Sequence, residues 1–416
     1  MRGWAGDTFA ALATPNYRRW FAGQAVSLTG TWMQTVAQGW LVLQLTGSGR
    51  ALGMVAAAQF LPILLLGPYG GLLADRLETR RLLITTQVAL GAIALTLGVL
   101  AVTGAIELWM VVGTALALGL VTAVDNPARQ TFAQEMVGPA TLRNAVSLNS
   151  VLVNAARAIG PAVAGILIAT VGIGPCFLIN AASYAAVVVA LWGMDVAALR
   201  PTPRADRGPG QVRQGLSYVA RTPGLLVPLM MLAVIGTLAY EFQVVLPLLA
   251  EGTFGGGPGT YGLLTSAMGA GAIVGGLVVA RRGRTGLRAL TTAAAMFGGA
   301  ILVAAAAPTV ALALVALAVV GATSVTFLAT GNTTLQLTAE PRFRGRVMAL
   351  WAVAFLGSTP LGAPLVGAVA DHVGARGGLV LGGVACLAAA GLGALALARG
   401  AEAPPAPRAP RAPHPA

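Results

Sequence analysis

The chain has no lysine, and charged residues of every kind fill only 9% of its 416 positions. A soluble domain carries about 25%, so the missing charge excludes a water-facing surface over most of the molecule. Cysteine is equally scarce: Cys176 and Cys386, the only two, both sit inside apolar runs, which suits small buried hydrophobes and offers no disulfide framework. The two histidines, His372 and His414, belong to no HExxH or Cys/His spacing, and no metal site is expected. Without lysine there is no Gly-x4-Gly-Lys-Ser/Thr loop, which argues against ATP-driven pumping. No Gly-x-Ser-x-Gly elbow occurs either, and neither enzyme activity nor a bound cofactor is expected.

What is present is apolar: 56% of the residues are hydrophobic, in long runs. About 20 residues cross the roughly 30 Å core of a bilayer. That ruler gives twelve spans, near 20–45, 51–74, 82–104, 107–128, 142–170, 174–194, 224–250, 258–280, 287–307, 309–337, 346–371 and 377–398. The expected fold is an all-α integral membrane protein of twelve transmembrane helices. The Gly and Pro within the spans are tolerated in a membrane, where neighbouring helices satisfy freed backbone groups. The first run follows the polar start Thr14 to Arg19 without a small-residue cleavage site, and is expected to stay as an anchor.

The net charge is +13, yet no basic stripe interleaves with aromatics, so nucleic acid is not an expected partner. The arginines cluster between spans. With the N-terminus in the cytoplasm, cytoplasmic segments hold Arg2, Arg18 and Arg19, then Arg76, Arg80 and Arg81, then Arg129 and Arg143, and so on to Arg399, Arg408 and Arg411; only Arg50, Arg157 and Arg376 fall elsewhere. Such asymmetry supports an even helix count and predicts both termini in the cytoplasm. The expected organisation is a first six-helix bundle at 1–194, a cytoplasmic linker at 195–222, a second bundle at 223–398 and a disordered tail at 399–416. The halves repeat: the run from Gly70 to Arg76 matches that from Gly275 to Arg281, and Gly160, Gly165 and Gly172 match Gly362, Gly367 and Gly374. A six-plus-six repeat is the layout of transporters with a midplane site between two bundles.

Polar residues within spans are costly in lipid and should face protein or a water-filled cavity. Gln24, Ser27, Thr31, Gln34 and Gln38 recur at steps of three and four in helix 1 and share one face. Helix 5 repeats the pattern with Ser147, Ser150, Asn154 and Arg157, and helix 10 with Thr323, Thr326, Thr330 and Thr333. The helix 1 stripe favours a cavity over helix–helix hydrogen bonding because glutamine is large for packing; for the threonines the two readings stand level. Arg157 is either a site for an anionic group or half of a structural ion pair. Glu241 in helix 7 is the deepest acid, either a proton carrier or a rim acid. Asp125 and Arg129 mark a solvated helix terminus or part of an inner gate, with Pro127 as a kink or helix end. Trp4, Trp20, Trp109 and Trp192 lie near helix ends and suit an interfacial belt. Trp32, Trp40 and Trp351 lie deeper, in core packing or against a substrate ring, and Trp351 is counted with the candidate cavity residues.

The run Gly71-Leu72-Leu73-Ala74-Asp75-Arg76-Leu77-Glu78-Thr79-Arg80-Arg81 resembles the loop 2–3 signature of the major facilitator superfamily. Asn16 to Trp20, Asp125 to Gln130 and Arg157 to Pro161 resemble its enterobactin-exporter-like branch, the transmembrane secretion effectors, which sits beside multidrug exporters. The resemblance implies two pseudo-symmetric six-helix bundles. It also implies that Asp75 caps the N-terminus of helix 11 near Arg346, where a carboxylate is favoured, and that Arg76, Arg80 and Arg129 complete an inner charge cluster. Gly160-Pro161 with Gly165 resembles the antiporter signature of helix 5, whose close-packed glycines would let that helix pivot on helix 8. Glu78 stands where the general signature has glycine, helix 1 has no acid, and Ala280 replaces the acid of the second copy. The run Gly367 to Arg376 imitates the loop signature but falls on the outer face, so no gate role is expected of it. What is implied is a monomeric exporter in a bacterial cytoplasmic membrane. It would move a small amphipathic or siderophore-like molecule against protons by alternating access, with helices 1, 4, 5, 7, 10 and 11 lining the path. Import of a small nutrient and a non-transporting receptor are the alternatives.

Overall fold

The computed structural model describes residues 9–200 and 211–400, with backbone alone at 68–75, 211–213, 215, 282 and 356. Among the described residues there are helices and no strands. Nine stretches of the described residues are long and apolar enough to cross a membrane. Two of them are double: Leu108–Val171 breaks at Gly138 (φ 71°), and the second half of Arg344–Ala398 breaks at Gly374 (φ 80°). The helix Pro15–Thr46 is long enough but too polar to be counted with them; its glutamine stripe lowers its hydropathy. Splitting the two and adding this one gives twelve.

We label these α1 (Pro15–Thr46), α2 (Gly49–Arg76), α3 (Thr79–Thr103), α4 (108–137), α5 (139–171), α6 (Gly174–Trp192), α7 (Pro223–Thr253), α8 (Pro258–Arg282), α9 (Leu287–Ala306), α10 (Val310–Thr338), α11 (344–373) and α12 (375–398). A short helix, Gln211–Ala220, precedes α7. The face where α1 starts carries most of the arginines and is called the basic face below; the other is the opposite face.

The repeat holds at the level of single contacts. A Cβ on Gly160 of α5 would press on the Thr29 carbonyl of α1, and one on Gly362 of α11 would overlap the Thr237 carbonyl of α7. Five residues on, Gly165 abuts Gly259 at the start of α8, and Gly367 abuts Gly49 at the start of α2. Gly172 (φ 89°) and Gly374 (φ 80°) then end the two helices in the same left-handed turn, a conformation that side chains with a Cβ resist. Two seams, α5–α8 and α2–α11, thus join the six-helix halves through backbone-to-backbone approach.

The sequence reading differs from the structure in two places here. Helix 4 was expected to stop near 128 with a polar connection to 142. Instead α4 runs through Pro127 to Val137 and turns at Gly138 alone. Ala128, Phe132 and Met136 recur at helical spacing and are buried against the first-half core, and burial of that face favours helix over loop. Trp20 was expected in an interfacial belt but is buried, edge-on to Phe132 at 5.5 Å. Trp109 and Trp192, at 67% and 64% exposure, do lie where a belt would place them; Trp4 is outside the described residues.

The segment between halves is tied at both ends. Asn16 donates to the Asp195 carbonyl (2.8 Å) and accepts from its N–H (3.0 Å), and the Arg200 N–H donates to the Glu135 carbonyl at 2.9 Å. On the other side Tyr218 stacks on Phe343 at 4.3 Å, and Arg346 donates to Gln214. Residues 201–210, and the tail from 401 onward, lie outside the described residues.

Glycine at the α8–α10 contact should be irreplaceable. A Cβ on Gly321 would overlap the Met268 carbonyl, whereas one on Gly391 of α12 meets nothing within 4 Å. Gly321→Leu should cost at least about 1–3 kcal/mol through overpacking and remove most monodisperse protein on size-exclusion chromatography, while Gly391→Leu leaves the yield unchanged.

Candidate functional site

The polar stripe of α1 opens onto a cavity of about 200 Å³. Thr31, Gln34, Thr35 and Gln38 form its α1 wall, and Thr122, Asp125, Asn126 and Arg129 its α4 wall. Gln59 of α2, Tyr184 of α6 and Gln243 of α7 complete the polar lining. Gln34 accepts a hydrogen bond from the Asn180 amide at 2.6 Å, and the Thr31 and Tyr184 hydroxyls are 3.3 Å apart. The cavity is therefore built mainly by the first half, with α7 contributing from the second.

Gln24 lies one turn below, under a buried network. Asp125 is 2% exposed and accepts from the Thr86 hydroxyl (2.6 Å), the Gln87 amide (2.8 Å) and the Arg129 guanidinium. Arg129 in turn donates to Gln24 at 2.5 Å. A charge pair in this setting is supported only when further hydrogen bonds satisfy both groups, and here α1, α3 and α4 supply them. Asp125 and Arg129 are thus not a solvated helix terminus. Their partners all belong to the first half.

Among the described residues, the arginines expected in the inner charge cluster have separate surroundings. Arg80 donates to the Leu191 carbonyl at 2.9 Å and more weakly to that of Trp192. The last carbonyls of a helix have no intrahelical donor, and the arginine satisfies them at the end of α6. Arg129 is held by Asp125 and Gln24, and Arg76 is exposed. The surroundings of Gly71 and Asp75 lie outside the described residues.

The opposite face carries a cross-half contact that the sequence reading set aside. Asp371, at the end of α11, accepts from the Gly49 N–H (2.5 Å), the Arg50 N–H (3.0 Å) and the Ser48 hydroxyl (3.0 Å). These are the free donors of the first turn of α2, so the carboxylate caps that helix across the interface. The Arg50 guanidinium reaches His372 at 2.6 Å. A motif judged a mere imitation of the loop signature performs here the capping expected of Asp75 at the other face.

On α5, Gly160 packs on α1, against the Trp32 Cβ and Thr29, and not on α8 as the antiporter-like signature implied; Pro161 and Gly165 do meet α8, at Gly262 and Gly259. Arg157 stacks over the Trp32 ring at 4.8 Å, and its Nε is buried without a partner. Asn154 donates to the Ser150 carbonyl of its own helix at 2.8 Å and does not line the cavity. Trp351 packs against Phe355 at 5.7 Å, away from the cavity, with Nε1 unpartnered. The hydroxyls of Thr323 and Thr326 bond back to their own helix, which satisfies them without a substrate.

Glu241 is buried at 5% exposure and is not a rim acid. It sits at a break in α7, where the helix Pro223–Ala239 ends and Phe242–Leu248 begins. Its Oε1 has no hydrogen-bond partner, and Val366, Gly378 and Gly382 of α11 and α12 line the small void around it. It is separate from the cavity on α1.

A six-plus-six helical body with a polar cavity reached by both halves matches one family along its length, that described as transmembrane secretion effector, over residues 6–414. The chain belongs to this family of major facilitator transporters. It is 25% identical to macrolide efflux protein A of Streptococcus pyogenes over 386 residues, covering 89% of this chain and 94% of the relative. With the staphyloferrin A transporter of Staphylococcus aureus it shares 30% identity over 165 residues, covering 39% of this chain and 42% of that protein, so the match spans under half of that relative's length. Among solved structures, a bacterial homolog of the human lysosomal transporter Spinster, inward-facing and unoccupied, superposes with a TM-score of 0.74 at 14% identity. It covers 94% of this chain and 98% of that one, and shows the shared fold. The protein is a multi-pass membrane transporter and not an enzyme.

Several lining residues escaped the sequence reading. Thr122 and Asn126 fall at helical steps from Asp125 and Arg129, so that stripe was readable. Tyr184 follows Asn180 and Ser183 at helical steps and was readable too, whereas Gln59 and Gln243 carry no periodic signal. Breaking the buried pair from one side should be worse than removing it. Arg129→Leu should cost about 3–5 kcal/mol, and Asp125→Leu/Arg129→Leu should recover much of the loss, as read by thermal unfolding in detergent.

Proposed function

We propose that this transporter exports a small amphipathic or siderophore-like molecule by proton antiport with alternating access. One observation carries the reading: among the described residues, the backbone contacts that seal the two seams of the halves gather toward one face. The contacts of Gly49 with Gly367, of Gly53 with Ala363, of Gly165 with Gly259 and of Asp371 with the first turn of α2 all gather there. With the basic face in the cytoplasm, as arginine distribution favours, that face is the outer one and the polar cavity loads from inside. Both termini are then cytoplasmic. The relative named for macrolide efflux supports outward movement.

Gln24, Thr31, Gln34 and Gln38 would meet substrate or carry its water, with Asn154, Arg157 and Trp351 further along the path. In the other state Asp75 would cap α11 at the basic face, with Arg76 and Arg80 beside it, as Asp371 caps α2 now. The helices α2 and α11 would then exchange carboxylate caps at opposite ends, one made as the other breaks, while Pro161 and Gly165 let α5 slide on α8. Glu241 would carry the proton, since broken helices are where transporters of this kind place coupling groups. The chain would work as a monomer.

The test is dye accumulation in inverted membrane vesicles under an imposed proton gradient. Wild type should accumulate a fluorescent amphipathic dye and lose it on addition of a protonophore. Glu241→Gln should equilibrate dye without concentrating it, at least about tenfold below wild type. Accumulation that ignores the protonophore would remove proton antiport, and dye loss from these vesicles would make the protein an importer.

A further inference from the structure

Among the described residues, Arg157 is a charged group deep between the halves that the transport scheme above leaves without a counter-charge. No carboxylate among the described residues forms an ion pair with it; the pairs present are Arg50–Asp371, Arg81–Glu78, Arg129–Asp125 and Arg342–Glu340. Its Nε is buried with no hydrogen-bond partner. The only cushion is the face of Trp32, 4.8 Å from the guanidinium carbon, and a cation–π contact contributes about 0.5–2 kcal/mol. An arginine within a membrane helix costs more than that unless it is solvated or paired. The residual charge calls for an anion.

The surroundings come from both halves. Thr29 abuts Gly160 and Thr237 abuts Gly362 at equivalent points of the repeat. Three residues further on stand Trp32 and Tyr240, which therefore occupy matching places on α1 and α7. From the second half, Gly269 of α8 abuts the Arg157 backbone. The Tyr240 hydroxyl is anchored to the Ser324 carbonyl at 2.9 Å, which fixes the ring, and Phe355 meets it edge-on at 4.9 Å. Beyond Phe355 lies Trp351, whose Nε1 is a second buried donor with no partner. Asp125 and Arg129 pair with each other, and neither forms an ion pair with Arg157.

We infer that Arg157, stacked on Trp32, with the aromatic cluster of Tyr240, Phe355 and Trp351 at the matching point of the repeat, is a binding site for an amphipathic anion. The guanidinium takes the carboxylate or an equivalent anionic group, and the aromatic walls take a flat apolar body. This rests on the transport reading but narrows it, because a cationic amphipath would meet repulsion at this point. Straddling the halves, the site would be remodelled as they rock.

The probe is 2-naphthoate, compared with its methyl ester and with 2-naphthylmethylamine, titrated against tryptophan fluorescence of the full chain in phosphatidylcholine nanodiscs. Wild type should bind the naphthoate at least about tenfold more tightly than the ester, the range of a charge-assisted hydrogen bond, and the amine most weakly. Arg157→Gln should erase the preference while leaving the ester unchanged. Arg157→Lys should retain part of it, and serves if the glutamine variant fails to insert. Equal binding of all three probes by wild type, or an undiminished preference in Arg157→Gln, would overturn the site. Added phosphatidylglycerol that competes with naphthoate would give the site to a lipid headgroup; no competition would give it to a soluble ligand. Dye export by a protein that shows no naphthoate preference would defeat this inference alone, and naphthoate preference in a protein that moves no dye would defeat the export reading alone.

Discussion

No water reaches the hydrocarbon core of a bilayer, so each polar group there needs a partner within the protein or a wet cavity to face. That constraint orders this molecule. Backbone groups are satisfied by helices throughout the described spans. Asp125 is satisfied by Thr86, Gln87 and Arg129, and Arg129 by Gln24. Thr323 and Thr326 of α10 turn back on their own helix. Among the described residues, the buried polar atoms left without a partner include Arg157 Nε on its tryptophan and Glu241 Oε1 at the break in α7, while the polar face of α1 borders the cavity.

The same scarcity of partners explains the seams. Helices in lipid gain no hydrophobic energy from meeting one another, so contact comes from close backbone approach and from polar links. The glycines of α2, α5, α8 and α11 permit the first, and Asp371 provides the second by satisfying the first-turn donors of α2. Glycine seams hold helices without interlocking side chains, and a cap is either made or lost. Together they suit an interface that must part and re-form.

Much of this was legible in the sequence. Twelve spans, the repeat and the arginine asymmetry depend on composition and period, which a linear reading captures. So does the α1 stripe, because Gln and Thr at helical steps in an apolar run have few other uses. Other features depend on three-dimensional neighbours. Nothing local reveals that Trp20 meets Phe132, that Arg80 finds the end of α6, or that Gly160 faces α1 while Gly165 faces α8. Asp371 is the instructive case. Its motif was visible, but its partner, the start of α2, is more than 300 residues away in sequence, and only the fold brings the two together.

The central claim is that the polar face of α1 borders a passage shut at one end by the α2–α11 cap and reached from the other. A single cysteine at Thr35, with Cys176 and Cys386 replaced by alanine, tests it directly through labelling by a membrane-impermeant maleimide in oriented vesicles. The account predicts labelling from the basic face alone, with access from the opposite face appearing when Asp371 is changed to alanine. Labelling from the opposite face in the unaltered protein, or from neither face, would contradict it.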